Sequence, residues 1–112
     1  MKNLIIVLAF LGIQFNVNAQ NKPATKTETF KVSGNCEMCE KRIEKAAKIT
    51  GVQKADWDVD KKTMTLTYYP IQTSTENVQK AIAAAGYDTE KVKAEDKVYN
   101  ELPECCQYER KK

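Results

Sequence analysis

The chain is 112 residues long and carries 18 Lys and Arg against 15 Asp and Glu, a formal net charge of +3. That length allows one small domain with a single modest core, and so even a charge balance leaves no electrostatic footprint for nucleic acid. No histidine is present, which removes the commonest general base and the commonest metal ligand and leaves the chemistry to four cysteines: Cys36, Cys39, Cys105 and Cys106.

Residues 1–19 read as a secretory signal peptide. Lys2 gives the positive start, Leu4 to Ile13 the apolar run, and Val17-Asn18-Ala19 the small-residue cleavage site. An anchoring helix needs roughly 20 apolar residues, and this run is about half that. Cleavage after Ala19 is expected to yield a periplasmic or secreted protein with no stable membrane anchor. Residues 20–26 are polar with one Pro and read as a flexible leader.

A domain is expected over residues 27–95. Thr27 to Ser33 predicts a strand with Glu28, Phe30 and Val32 on one face, broken by Gly34-Asn35. From Glu37 the period becomes helical, with Cys39, Ile43, Ala46 and Ala47 on one side and Lys41, Glu44, Lys45 and Lys48 on the other; Gly51 is the natural stop. Ala55, Trp57 and Val59 alternate with polar neighbours as a second strand. After the turn Asp60-Lys61-Lys62, a third strand sets Met64, Leu66 and Tyr68 against Thr63, Thr65 and Thr67. Thr73 and Glu76 predict a capping box for a second helix with Val78, Ala81, Ile82 and Ala85 as its stripe and Gly86 at its end. A weaker fourth strand is expected from Tyr87 to Ala94. The order is β-α-β-β-α-β: an α+β, ferredoxin-like fold with a four-stranded antiparallel sheet and two helices on one face.

Within Cys36-Glu37-Met38-Cys39 the first cysteine falls in the loop after a strand and the second in the first helical turn, so both sulfurs can turn to one point. The helix N-terminus favours thiolate, so both pKa values are expected below about 8.5. Two converging thiolates without imidazole or carboxylate make a soft site, which selects Cu(I) and also accepts Hg(II) or Cd(II). Zn(II) is a weaker match, because structural zinc takes four ligands. The residues alone leave two other readings open, a structural disulfide and a small thiol-disulfide oxidoreductase. Against the latter, Glu37-Met38 lacks the aromatic residue and Pro expected around such a motif.

This loop between first strand and first helix resembles that of the heavy-metal-associated domain family, which includes copper chaperones, modules of copper-transporting ATPases and periplasmic mercury-binding proteins. The resemblance extends to Gly51-Val52 and to Ala85-Gly86-Tyr87. It implies that Cys36 and Cys39 are the metal ligands and that Tyr87 lies in the loop beside the metal. It also implies a non-enzymatic metallochaperone or sequestering protein whose partners are a metal ion and a metal-transporting ATPase or another metal-binding protein. The family's Gly-Met-Thr-Cys is here Gly34-Asn35-Cys36 preceded by Ser33, so the Met that packs below the loop is missing.

Residues 96–112 remain as a charged, cysteine-containing tail, with a helical turn expected through Val98, Tyr99 and Leu102. Adjacent cysteines make a strained disulfide, so Cys105 and Cys106 are not expected to pair with each other. The segment of about ten residues before them spans up to roughly 33 Å if extended, enough to double back over a small domain. Met38, Cys105 and Cys106 are therefore auxiliary ligand candidates, and the tail cysteines are also candidates to form a disulfide with Cys36 or Cys39 or to meet a partner.

Overall fold

A computed structural model describes residues 23–110; the signal peptide, its cleavage site and the start of the leader lie outside them. The alternating pattern of Met64, Leu66 and Tyr68 forms the central strand, β3 (Thr63–Tyr68). It pairs antiparallel with β1 (Lys26–Lys31) on one side and β2 (Val52–Asp58) on the other, giving the order β1-β3-β2. The registers Phe30↔Met64 and Trp57↔Met64 put the large apolar residues of all three strands on one face. Asp58 closes the β2–β3 turn by accepting the amides of Asp60 and Lys61, each at 2.9 Å.

Two helices cover that face. Helix α1 (Glu37–Ala47) buries Cys39, Ile43 and Ala47, and α2 (Thr75–Ala84) buries Val78 and Ile82. Each large apolar side chain so buried contributes on the order of 2 kcal/mol. The helix ends differ slightly from expectation. Chain α1 stops at Ala47, short of Gly51. The cap of α2 is Ser74, whose hydroxyl accepts the Asn77 amide at 3.1 Å, and not Thr73. The amides of Gln72 and Thr73 both turn in on the Tyr69 carbonyl, which draws Thr73 into the preceding turn.

The ferredoxin-like arrangement is present, but its fourth strand is reduced among the described residues to one bridge, Val32↔Thr89. Two backbone bonds, from Ser33 to Asp88 and from Glu90 to Lys31 (2.9 Å each), start the pairing. Side chains then divert the backbone: Thr89 exchanges bonds with Val92, and the Asp88 carboxylate accepts the Ala94 amide at 2.8 Å. Short polar side chains compete with a ladder in this way, and the alternation from Tyr87 to Ala94 offers little apolar burial to oppose them.

The tail doubles back over the domain, the outcome its length allowed. It forms helix α3 (Asp96–Asn100) and a 3-10 turn (Glu104–Cys106), and Leu102, Cys106 and Tyr108 join the core. Leu102 settles onto Gly86, where a Cβ would lie 2.9 Å from a Leu102 methyl and the backbone has φ +111°. Glycine there both ends α2 and receives the tail. No helix among the described residues is long and apolar enough to cross a membrane.

Candidate metal centre

Cys36 is the N-cap of α1, and its carbonyl accepts the Glu40 amide at 3.0 Å. Cys39 lies one turn on, so the helix itself brings the two sulfurs to 3.8 Å. Below them the space vacated by the missing Met is filled from the sheet: Gly34 lets the Trp57 ring come so close that a Cβ would sit 2.9 Å from it. The Trp57 Nε1–H donates to the Val32 carbonyl at 3.0 Å, tying this ring to the strand that leads into the loop.

The two sulfurs differ in environment. Cys36 is half-buried, and the amides of Cys39 and Met38 pull its pKa below the ordinary thiol value. Cys39 is fully buried. Burial, reinforced by the neighbouring Cys106 thiol, pushes its pKa up to about 11 despite the amides of Cys36 and Asn35. The expectation of two lowered pKa values thus holds for Cys36 and fails for Cys39, because desolvation of a buried anion outweighs the helix terminus.

The tail brings a third sulfur to the pair. Cys106 Sγ is 2.8 Å from Cys39 Sγ, and the sulfurs of Cys36, Cys39 and Cys106 all lie within 4.8 Å of one another. Cys105 faces the other way: its thiol is exposed and meets Met38 Sδ at 3.4 Å, while its carbonyl points toward the Cys36 and Cys39 sulfurs at 3.7 and 3.9 Å. Asn35, where the related motif has Thr, holds that carbonyl through Nδ2 at 3.3 Å. Tyr87 is fully buried beside the cluster; its hydroxyl accepts Arg42 Nε at 3.1 Å and contacts Cys106. Burial first, and then that contact, drive its pKa upward.

Two tail residues that the sequence pattern did not single out, Tyr108 and Arg110, fix this geometry together with Tyr99 from the expected helical turn. The Tyr108 hydroxyl donates to the Gly86 carbonyl at 2.9 Å and accepts the Asp88 amide at 2.7 Å. Tyr99 packs edge-on against the Tyr108 ring at 5.0 Å. Arg110 grips Asp88 with two bonds of 2.8 and 2.9 Å and also reaches Asp96 and the Ala94 carbonyl. The only advance signal for Tyr108 and Arg110 is the spacing of aromatic and basic residues in an otherwise polar tail. A second cluster, Glu40, Glu44 and Asp56, is oxygen-only, and Glu44 is already engaged with the Trp57 amide.

The Asp88–Arg110 pair gives the tail an acid limit. Burial alone would raise the Asp88 pKa, but the Arg110 guanidinium and the Ala94 amide outweigh it and hold the carboxyl below its ordinary range. A depressed carboxyl pKa contributes stability that is complete above the unfolded value of about 3.9 and disappears as pH falls through the folded value. Tail docking is therefore expected to be undiminished from neutrality to about pH 4 and to weaken below it. An NMR pH titration of the Asp88 carboxyl carbon checks this, with Arg110→Gln expected to move the midpoint upward.

Residues 29–88 match the heavy-metal-associated domain family. Among solved structures, oxidized MerP from Ralstonia metallidurans CH34 is 35% identical, with 60% of this chain and 96% of that one covered and a TM-score of 0.56. The water-soluble region of the P-type ATPase CopA from Bacillus subtilis is 33% identical over 61% of this chain and 46% of that one, also at a TM-score of 0.56. A CopZ metallochaperone is 27% identical over 57% of this chain and 98% of its own, at 0.55. No curated protein matches the chain.

Proposed function

Because the chain belongs to the heavy-metal-associated domain family, a family of heavy-metal-binding domains, we propose that it is a Cu(I) metallochaperone or sequestering protein that holds its cargo between Cys36 and Cys39. The observation that carries this reading is the 3.8 Å approach of the two sulfurs at the start of α1. Two sulfur donors with no imidazole or carboxylate in reach suit a soft, low-coordinate ion.

The unequal sulfurs suggest an order of events. The half-buried Cys36, favoured as thiolate, attacks an incoming ion held on two donor thiolates and displaces the first of them. The buried Cys39 then gives its proton to water as its sulfur binds and displaces the second. Each step exchanges one metal–sulfur bond for another, so the ion passes without oxidation or reduction. An acceptor of the same kind, such as a metal-transporting ATPase domain, reverses the order. The proposed compartment is the periplasm or the extracellular space, on the strength of residues 1–19.

The same donors also suit Hg(II) and Cd(II), and the resemblance to periplasmic mercury-binding proteins keeps a scavenging role as the second reading. The experiment is a metal competition. Reduced protein lacking residues 1–19 is titrated with Cu(I), and separately with Hg(II), against a chromogenic chelator, and then mixed with a metal-free acceptor domain. The expected result is one Cu(I) held per chain and handed over intact, without insulin reduction. Catalytic insulin reduction with no retained metal would replace this reading with a thiol-disulfide oxidoreductase.

A further inference from the structure

We propose that Cys106, carried back on the tail, is the third thiolate of a closed three-sulfur site with Cys36 and Cys39. The inference rests on the dithiolate reading above and adds one ligand to it. Its first support is the spacing of the pair. With metal–sulfur bonds of about 2.3 Å, a linear two-coordinate ion holds its sulfurs about 4.6 Å apart, whereas a trigonal ion holds them about 4.0 Å apart. The observed 3.8 Å between Cys36 and Cys39 is a contact of two free thiols that lies close to the spacing a three-sulfur ion needs, so a third sulfur can join without the pair moving far.

Cys106 stands beside the pair. Its sulfur lies with the other two inside a 4.8 Å cluster, and the residue is fully buried, while its neighbour Cys105 points to solvent. All four cysteines are free thiols, and the Cys39–Cys106 gap of 2.8 Å, too long for a disulfide, is shorter than a trigonal ion requires and opens by about 1.2 Å when one enters. A modest rotation about the Cys106 Cα–Cβ bond supplies that shift without moving the turn.

Polar groups line the cluster: the buried Tyr87 hydroxyl accepts from Arg42 Nε at 3.1 Å, which leaves its own proton free to donate. The turn itself is held from both sides, by Asn35 on the Cys105 carbonyl and by Tyr108 and Arg110 beyond it. The tail is thus a positioned arm of the site that shields a bound ion from water. A three-thiolate site takes soft ions that accept trigonal sulfur: Cu(I), Hg(II) and Cd(II).

X-ray absorption on the full mature chain, loaded with one equivalent of Cu(I) and in a second sample with one equivalent of Hg(II), reads the sulfur count directly. Three sulfurs are expected in the wild type and in Cys105→Ser, falling to two in Cys106→Ser. Two sulfurs in the wild type would overturn this inference and leave the dithiolate reading standing; no retained metal would overturn both. Three sulfurs in Cys106→Ser would take the role away from Cys106. The wild-type count stands as a test even if the variant folds poorly.

Discussion

Replacing Cys36 with serine is expected to cut the affinity for Cu(I) by on the order of 10²-fold or more, with the metal-free protein at least as stable as before. Structural sites with four ligands are worth about 10–16 kcal/mol, or roughly 3 kcal/mol for each ligand. A serine hydroxyl is hard and stays protonated at neutral pH, so it does not replace the thiolate for a soft ion. The fold tolerates the change because Cys36 is only half-buried and, as N-cap, its sulfur faces the first-turn amides without a bond of full capping geometry. Serine is a preferred N-cap and can accept an amide of the first turn, a gain of up to about 1 kcal/mol. Cys39→Ser is a poorer test, because Cys39 is fully buried in the core with Ile43, where an unpaired hydroxyl costs about 1–3 kcal/mol regardless of metal. A chelator competition with a parallel urea melt separates affinity from stability. Unchanged Cu(I) affinity in Cys36→Ser would remove Cys36 from the ligand set.

The parts of the molecule that were legible in the sequence are those governed by local periodicity. Met64, Leu66 and Tyr68 alternate because one face of β3 is buried, and Cys39, Ile43 and Ala47 recur at helical spacing because one side of α1 packs on that face. The placement of Cys36 and Cys39 across a loop-to-helix junction followed from the same patterns. What was not legible depends on residues far apart in the chain. Cys39 reads as a helix-terminus thiol, yet the tail and the core together desolvate it and raise its pKa to about 11. Tyr87 to Ala94 has the look of a strand, but Asp88 and Thr89 spend their side chains on nearby amides. The tail's length let it either double back or stay solvated, and its apolar residues Leu102, Cys106 and Tyr108 lack a common period that would choose between the two. Each instead fits a separate feature of the folded domain: the bare Cα of Gly86, the sulfur of Cys39 and the ring of Tyr87.

That division predicts where the molecule opens first. Tyr108→Ala is expected to release the tail while β1–β3, α1 and α2 stay folded. The Tyr108 ring is almost fully buried between Tyr87, with ring centroids 6.0 Å apart, and Tyr99, at 5.0 Å. Truncating a buried aromatic costs about 3–5 kcal/mol, and here the Asp88 amide and Gly86 carbonyl also lose the hydroxyl they share. The ring and hydroxyl meet Tyr87, Tyr99 and the Gly86 and Asp88 backbone, so the loss falls first on the tail. Three kcal/mol corresponds to slightly more than two decades in an equilibrium, so the open state becomes on the order of 10²-fold more populated. Cys106, fully buried when docked, reports the opening through its reaction with a thiol reagent in reduced, metal-free protein, followed by peptide mass mapping. Its labelling rate should rise on the order of 10²-fold. Tyr108→Phe, which keeps the ring and loses the hydroxyl, should fall between the variant and the wild type. An unchanged Cys106 rate in Tyr108→Ala, with far-ultraviolet dichroism also unchanged, would mean that this ring does not hold the tail.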